Sequence, residues 1–369
     1  MAAVDMITFA RGNPTPDVLP VEAFGECAQA VIAREGRTIL NYGPPSGYGP
    51  LREWIAEQHG AEASQVVITT GSLFGFNLVM RQVYADPARA VVEAPSYDRT
   101  LGVLRSLGST IDSVPLTDDG LDLDRLESIL AEADVPRLVY TIPTFQNPTG
   151  RTLSLDQRHA LVELCRARGV LLFEDDPYRL VRYEGEALPS MYELSGGNGV
   201  IFSSSFSKTG APGLRVGYLI VPPEMVKPLE LLAAASYIGP PLLNQAMLHE
   251  FIARGLFEPN LVHVCNELKA RRDAMLESLE KELPEGASWS HPDGGYFLWL
   301  DLPEGVRVDT LFEQAAEAGV QFVKGTDFYA GEGGESSARL AFSFSSLDEI
   351  HEGVRRLGAL VRDAAAVAA

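Results

Sequence analysis

Lys208 ends the run Ser203-Ser204-Ser205-Phe206-Ser207-Lys208 and is one of five lysines in a chain of 369 residues. A lysine can form an imine with an aldehyde when burial and neighbouring charge lower its pKa from about 10.4 towards neutrality. Its position directly after an apolar run gives it that opportunity. The other residues able to do chemistry also adjoin short apolar runs. Gly71-Ser72 follows VVITT (66–70), Pro95-Ser96-Tyr97 follows AVVEA (90–94), and Phe145-Gln146-Asn147 closely follows RLVYTIP (137–143). Asp175-Asp176-Pro177-Tyr178 follows VLLFE (170–174), and Gly213-Leu214-Arg215 precedes VGYLIVP (216–222). Hydroxyls, an arginine and the free N–H groups of a helix start make a phosphate cradle. A carboxylate against a pyridine nitrogen keeps it protonated and makes the ring an electron sink. An aromatic side chain can stack on that ring.

These runs, with TIDSVPL (110–116) and VIFSSS (200–205), are short, mostly continuous and rich in β-branched or aromatic residues, the pattern of strands buried on both faces. Helix-like stretches separate them. Ser154 and Gln157 have the form of a capping box, with Gly169 as the stop. Seven strands alternating with helices imply an α/β domain with a seven-stranded, mostly parallel sheet, expected over residues 46–280. A helical pattern over 240–280 reads as a connector. Beyond Pro284 come strands at 295–302, 320–325 and 338–344, a helix over 309–319, and a last helix opened by Ser346 and Glu349. Residues 281–369 with 1–45 are expected to form a smaller α+β domain. In open α/β sheets ligands bind beyond the carboxyl ends of the strands. The polar residues named above would then gather at one rim, and the chemistry they offer together fits pyridoxal phosphate.

Composition narrows the classes. The chain is 46% hydrophobic and carries 30 basic against 50 acidic residues, a net charge of −20. That balance argues against a nucleic-acid groove or an anionic membrane surface. Cys27, Cys165 and Cys265 are far apart and no CxxC or HExxH exists, so neither a disulfide framework nor a zinc site is expected. The opening residues lack a signal-peptide pattern and no stretch is long enough to span a bilayer. A cytoplasmic protein is the expectation.

The ordered motifs NPTG (147–150), DDPY (175–178), SFSK (205–208), PGLR (212–215) and ARLAFSF (338–344) resemble the signature of class I/II aminotransferases of fold type I. FARGNPTPDVLP and NYGPPSGYGPLRE look most like the branch holding 2-aminoadipate and kynurenine aminotransferases and the effector domains of MocR-type regulators. The resemblance spans essentially the whole chain. It implies that Lys208 forms the internal aldimine with pyridoxal 5′-phosphate and later shuttles the proton, that Asp175 holds the pyridine nitrogen, and that Tyr178 and Asn147 share the phenolic oxygen. It further implies phosphate ligands at Ser205, Ser207, Arg215 and the backbone of Ser72 and Leu73, and ring stacking by Tyr97. Arg339 and Asn147 would take the substrate α-carboxylate, with Gly12 in the segment that closes over it. Tyr42 would reach the phosphate of a neighbouring subunit, which implies a homodimer with shared sites. Leu73 stands where this branch often has glutamine, and Arg11 where glycine is common. Arg11 reads either as a contact to an acidic substrate side chain or as a solvated charge.

The implied activity is transfer of an amino group from an L-amino acid to a 2-oxo acid by a ping-pong route. A C–S β-lyase on the same fold is the alternative, with a ligand-sensing regulator domain behind it. Taken singly, the residues have blander readings: Asp175 as a helix N-cap, NPTG as a turn, Arg215 and Arg339 as surface charges, Tyr97 as core. Asp176 reads as structural. Ser205-x-x-Lys208 with Lys208-Thr209-Gly210 also spells motifs of penicillin-binding enzymes. Those motifs lie far apart on different elements there, whereas here they share one lysine.

Overall fold

The computed structural model describes residues 5–83, 89–117 and 120–368. The first four residues, part of the stretch read for a signal peptide, lie outside the described residues. In chain order the strands are β1 (Ile7–Thr8), β2 (Val66–Thr69), β3 (Arg89–Ala94), β4 (Thr110–Thr117), β5 (Gly120–Leu121), β6 (Leu138–Thr141), β7 (Leu171–Asp175), β8 (Val200–Ser205), β9 (Gly217–Ile220), β10 (Ser288–Trp289), β11 (Phe297–Asp301), β12 (Val320–Gln321), β13 (Val323–Lys324) and β14 (Ser337–Ala341).

All seven expected strands form, and they share one sheet of order β2-β9-β8-β7-β6-β3-β4-β5. The eighth member, β5, is a two-residue strand antiparallel to the edge strand β4, too short to show as an apolar run. Pairing is parallel from β4 through β3, β6 and β7 to β8. β9 lies antiparallel between β8 and β2, so β2 runs in the direction of the parallel strands. Side chains along the inner strands alternate between two apolar layers, whereas β4, expected to be buried on both faces, lies near the sheet edge and buries only Val114. Val200 and Phe202 join one cluster while Ile201 joins the other, and Ile68 and Val67 divide in the same way. Burial on both faces is why the runs are apolar without a period of two.

Helix Leu155–Arg168 is capped as expected, Ser154 Oγ accepting from Gln157 N at 3.2 Å and Gly169 closing it with φ 65°. Ser346 and Glu349 form the expected reciprocal box, at 2.7 and 3.3 Å. The connector is two helices, Leu242–Ala253 and Phe257–Glu282, broken at Gly255. The second spans two cores: Val264 and Leu268 pack with the large sheet, Met275 and Leu279 with a third cluster. That cluster lies beside the antiparallel sheet β10-β11-β14-β13 and includes Ile7 and Phe9 near the chain start. Helix Val21–Ile39 places Phe24 and Cys27 on the large sheet instead. We therefore propose a division with the N-terminal strand in the smaller unit and this helix in the larger, rather than a break at residue 45. No helix among the described residues is long and apolar enough to cross a membrane.

Candidate active site

Parallel strands deliver the ends of β2, β3, β6, β7 and β8 to one rim of the sheet. The reversed strand β9 starts at that rim, which brings Arg215 to it as well. Lys208 follows β8 in a turn closed by Gly210 N on Phe206 O at 2.9 Å. Its amine donates to the carbonyl of Gly12 and lies 4.8 Å from the Tyr296 ring centroid and 5.6 Å from that of Tyr178. Loss of hydration among these groups, with Arg339 and Arg215 adding positive charge, lowers its pKa from 10.5 to about 7. Asp175 ends β7 on the face that also holds Phe173 and Tyr140. Burial pushes its carboxyl up to about 7, opposed by the Tyr140 hydroxyl, which donates to Oδ2 at 2.8 Å. Oδ1 is buried and has no partner. Tyr178 is buried, and desolvation holds its phenol well above the ordinary range.

The candidate phosphate cradle is a helix start. Helix Ser72–Val83 opens directly after β2 and Gly71, leaving the N–H groups of Ser72 and Leu73 without intrahelical partners. Arg215 has φ 53°, a left-handed conformation that costs a non-glycine residue on the order of 1–3 kcal/mol. The bend aims its guanidinium at the helix start, Nη2 on Thr70 O at 3.1 Å. Gly71 has φ 104°, and a Cβ there would overlap Nη2. Ser205 is buried at the end of β8, opposite Gly217 of β9.

On the other side, Arg339 is 7% exposed on β14, its guanidinium carbon 4.3 Å from the Phe297 ring centroid and 5.1 Å from that of Phe328. Nη1 donates to Asn147 Oδ1 at 3.0 Å and Nη2 to Ala10 O at 2.7 Å. Nε is buried and unpartnered. Gly12 lies in a segment stitched to the small unit, Ala341 N donating to Phe9 O at 2.8 Å and Ser343 Oγ to Asn13 O at 2.9 Å. Any side chain at residue 12 would run into the Phe297 ring.

The structure thus brings Lys208, Asp175, Tyr178, Asn147, Arg339, Gly12, Arg215 and the Ser72–Leu73 backbone to one place, with Tyr97 capping helix Asp98–Ser106 and Ser207 in the lysine turn. Tyr42 stands apart, 81% exposed. Arg11 is exposed and rests 5.2 Å from the Phe344 ring centroid. Asp176 is buried against Thr144 Oγ1 at 3.1 Å, consistent with a structural part. Tyr140, Tyr296 and Phe297 are members of the site that their strand-like settings concealed. Replacing Tyr140 with Phe removes the hydroxyl that donates to Asp175 Oδ2, so the carboxyl pKa rises further. The acidic limb of the kcat/KM profile should then move to higher pH, with activity at neutral pH down about tenfold.

The residues fit pyridoxal phosphate. Asp175 offers a buried oxygen with no partner, Lys208 an amine whose pKa lies near neutrality, and the missing side chain at Gly71 lets the Arg215 guanidinium approach the helix start. Comparison with known proteins points the same way. Residues 4–357 match the family model for aminotransferase class I and II. A 2-aminoadipate transaminase of Thermus thermophilus is 39% identical over 357 residues, covering 96% of this chain and 89% of that protein. Aromatic-amino-acid aminotransferase 1 of Thermococcus litoralis is 34% identical over 370 residues, 97% of this chain and 88% of the other. The crystal structure of the Thermus thermophilus α-aminoadipate aminotransferase LysN, complexed with N-(5′-phosphopyridoxyl)-L-leucine, superposes with a TM-score of 0.93 at 37% identity, over 98% of this chain and 93% of that one. The chain belongs to the class I and II aminotransferases, on the pyridoxal-phosphate fold of type I.

Proposed function

We propose that the protein moves an amino group from an L-amino acid to a 2-oxo acid in two half-reactions of ping-pong form. One observation carries this reading. A desolvated lysine amine shares a rim with a buried carboxylate oxygen lacking a partner, while Arg339 presents an unpartnered Nε on the far side. Pyridoxal 5′-phosphate supplies an aldehyde for the amino nitrogen and a ring that accepts the electron pair left at the α-carbon. The rest falls to the protein. Ser72 and Leu73 N–H, Ser205, Ser207 and Arg215 would hold the phosphate, Asp175 would keep the proton on the ring nitrogen, and Tyr97 would stack on the ring. Tyr178 donates to the phenolic oxygen. Arg339, oriented by Asn147 and Ala10 O, takes the α-carboxylate in a bidentate pair and fixes which α-bond faces the lysine. Lys208 Nζ, its pKa lowered to about 7, would take the α-proton and hold it for return within the site. Phe297 and Phe328 keep water from the guanidinium.

We also propose a homodimer that completes the site. Leu40 and Tyr42 are exposed by 66% and 81%, Ile238 by 50%, and Gly239 adjoins Gly43 and Pro44. A second copy would cover this patch and bring Tyr42 to the neighbouring cradle.

The direct test is a half-reaction screen with 2-aminoadipate, aromatic and other L-amino acids, the first two suggested by the relatives. The visible absorbance of the loaded protein should fall, with a 2-oxo acid released stoichiometrically and no second product. Pyruvate release from cystathionine without any amino acceptor would instead make the enzyme a lyase. Uptake of the cofactor by apoprotein should speed up as pH rises through about 7, because only the uncharged Lys208 amine attacks an aldehyde. A midpoint near 10 would contradict the desolvated lysine.

A further inference from the structure

Glu93 lies at the end of β3, 1% exposed, on the opposite face of the sheet from Asp175. It touches neither Lys208 nor Arg339 in any hydrogen bond, yet its hydrogen bonds lead to both loops that flank them. Oε1 accepts from the Thr141 hydroxyl, and both oxygens face the N–H of Ile142 at 3.3 Å. Oε2 accepts from Gln146 Nε2 at 3.0 Å. All these donors are neutral, and they converge on one carboxylate. Burial raises the Glu93 pKa to about 7; in its ionised form it only accepts, which dictates which end of the Gln146 amide faces it. Nε2 then also donates to Pro95 O at 2.9 Å, and Oε1 turns away to accept from Thr149 N at 2.8 Å and Thr149 Oγ1 at 2.7 Å.

Asn147 sits inside the turn so fixed, which Gly150 N closes on Gln146 O at 2.6 Å. Tyr97 follows Pro95 by two residues. Between them Ser96 N donates to Phe328 O at 2.8 Å, and the Phe328 ring supports the Arg339 guanidinium. One carboxylate therefore ties together the backbone carrying Asn147, the backbone carrying Tyr97 and the bed of Arg339.

We propose that Glu93 is a positioning residue for amino transfer: acting through Gln146, it sets Asn147 against Arg339 and Tyr97 at the rim, and so governs how tightly cofactor and substrate carboxylate are held. This rests on the reading above, in which Asn147, Tyr97 and Arg339 make those contacts. It predicts a binding defect rather than a chemical one, since the brace acts on ground and transition state alike.

The test compares Glu93→Ala, Gln146→Ala, the double variant and Glu93→Gln. For each, the pyridoxal phosphate Kd of the apoprotein is measured by equilibrium dialysis, with kcat and KM for one active amino donor. Each alanine variant should raise both Kd and KM about tenfold, the cost of losing a buried hydrogen bond to a charged group, and leave kcat nearly unchanged. The double variant should be no worse than the worse single, because both changes cut one chain of contacts. Glu93→Gln should stay close to the parent, its nitrogen turned to Thr141 Oγ1 and its oxygen to Gln146 Nε2. Parental Kd and KM in Glu93→Ala and Gln146→Ala, additive losses in the double variant, or a fall in kcat alone would overturn the brace while leaving the aminotransferase reading intact. If Glu93→Ala does not fold, Gln146→Ala decides the question, since it cuts the same chain of contacts and leaves Glu93 bonded to Thr141 and Ile142. A parent protein that binds no pyridoxal phosphate and releases no oxo acid would remove the underlying reading, and the brace with it.

Discussion

Lys208→Met abolishes amino transfer and raises the melting temperature of the cofactor-free protein at neutral pH. The first effect follows from the two tasks proposed for this amine, anchoring the aldehyde and moving the α-proton. No second lysine or histidine occurs among the site groups able to take over either, so the loss should be on the order of 10⁴-fold or more. The second follows from linkage. The ordinary lysine pKa of 10.5 falls to about 7 in the folded chain, mainly through lost hydration. Between those values the unfolded chain binds more protons than the folded one, so stability climbs as pH rises through that window. At pH 7 the native lysine is a burden, and at pH 11 it is not. Methionine keeps most of the volume without the charge. The melting difference between variant and parent apoprotein should therefore be large at pH 7 and shrink towards pH 11. The yellow absorbance of cofactor covalently held on lysine should be absent from the variant at every pH. An unchanged melting temperature together with retained absorbance would mean that another residue holds the aldehyde.

Much of this arrangement was legible because two-sided burial leaves a coarse trace. Runs such as VIFSSS and VLLFE must be apolar throughout when both faces pack, and the residues just beyond them must reach the rim if the strands are parallel. What the sequence hid was direction and depth. Nothing in VGYLIVP reveals that β9 runs against its neighbours, although that reversal is what brings Arg215, which precedes its strand, to the same rim as residues that follow theirs. Tyr140 and Tyr296 sit within strand-like runs, where an aromatic residue is the ordinary filling, and only the fold shows Tyr140 bonded to Asp175. Glu93 did leave a signal, a carboxylate inside the otherwise apolar run AVVEA, where an unpaired charge would be costly. Helix Val21–Ile39 gave none. Its apolar positions fit either core, and the choice of the large sheet is made by partners such as Phe251, which stacks on Phe24 with ring centroids 4.6 Å apart. The role proposed for Tyr42, 81% exposed here, would need the surface of a second copy.

Asp175→Asn should divide function from stability in the opposite pH direction. The carboxyl pKa rises from 3.8 to about 7 because the group is buried without a cation, the Tyr140 hydroxyl offsetting part of the cost. Between pH 3.8 and 7 the folded chain holds a proton that the unfolded chain has released, so this group's contribution falls as pH rises through that window. Above it the deficit is complete, roughly 4 kcal/mol at most for a displacement of this size. Asparagine keeps the acceptor for Tyr140 and removes the charge, so apo Asp175→Asn should melt higher than the parent above pH 7 and match it near pH 4. Activity should fall on the order of 10³-fold, the usual cost of removing one preorganised group that stabilises developing charge. The two results have one cause. A carboxylate oxygen left without a partner in a dry site is a liability to the empty protein, and under the proposed function a protonated ring nitrogen would be the partner that relieves it. Cofactor should accordingly stabilise the parent more than the variant at pH 8, and equal stabilisation of the two would show that Asp175 does not meet the ring.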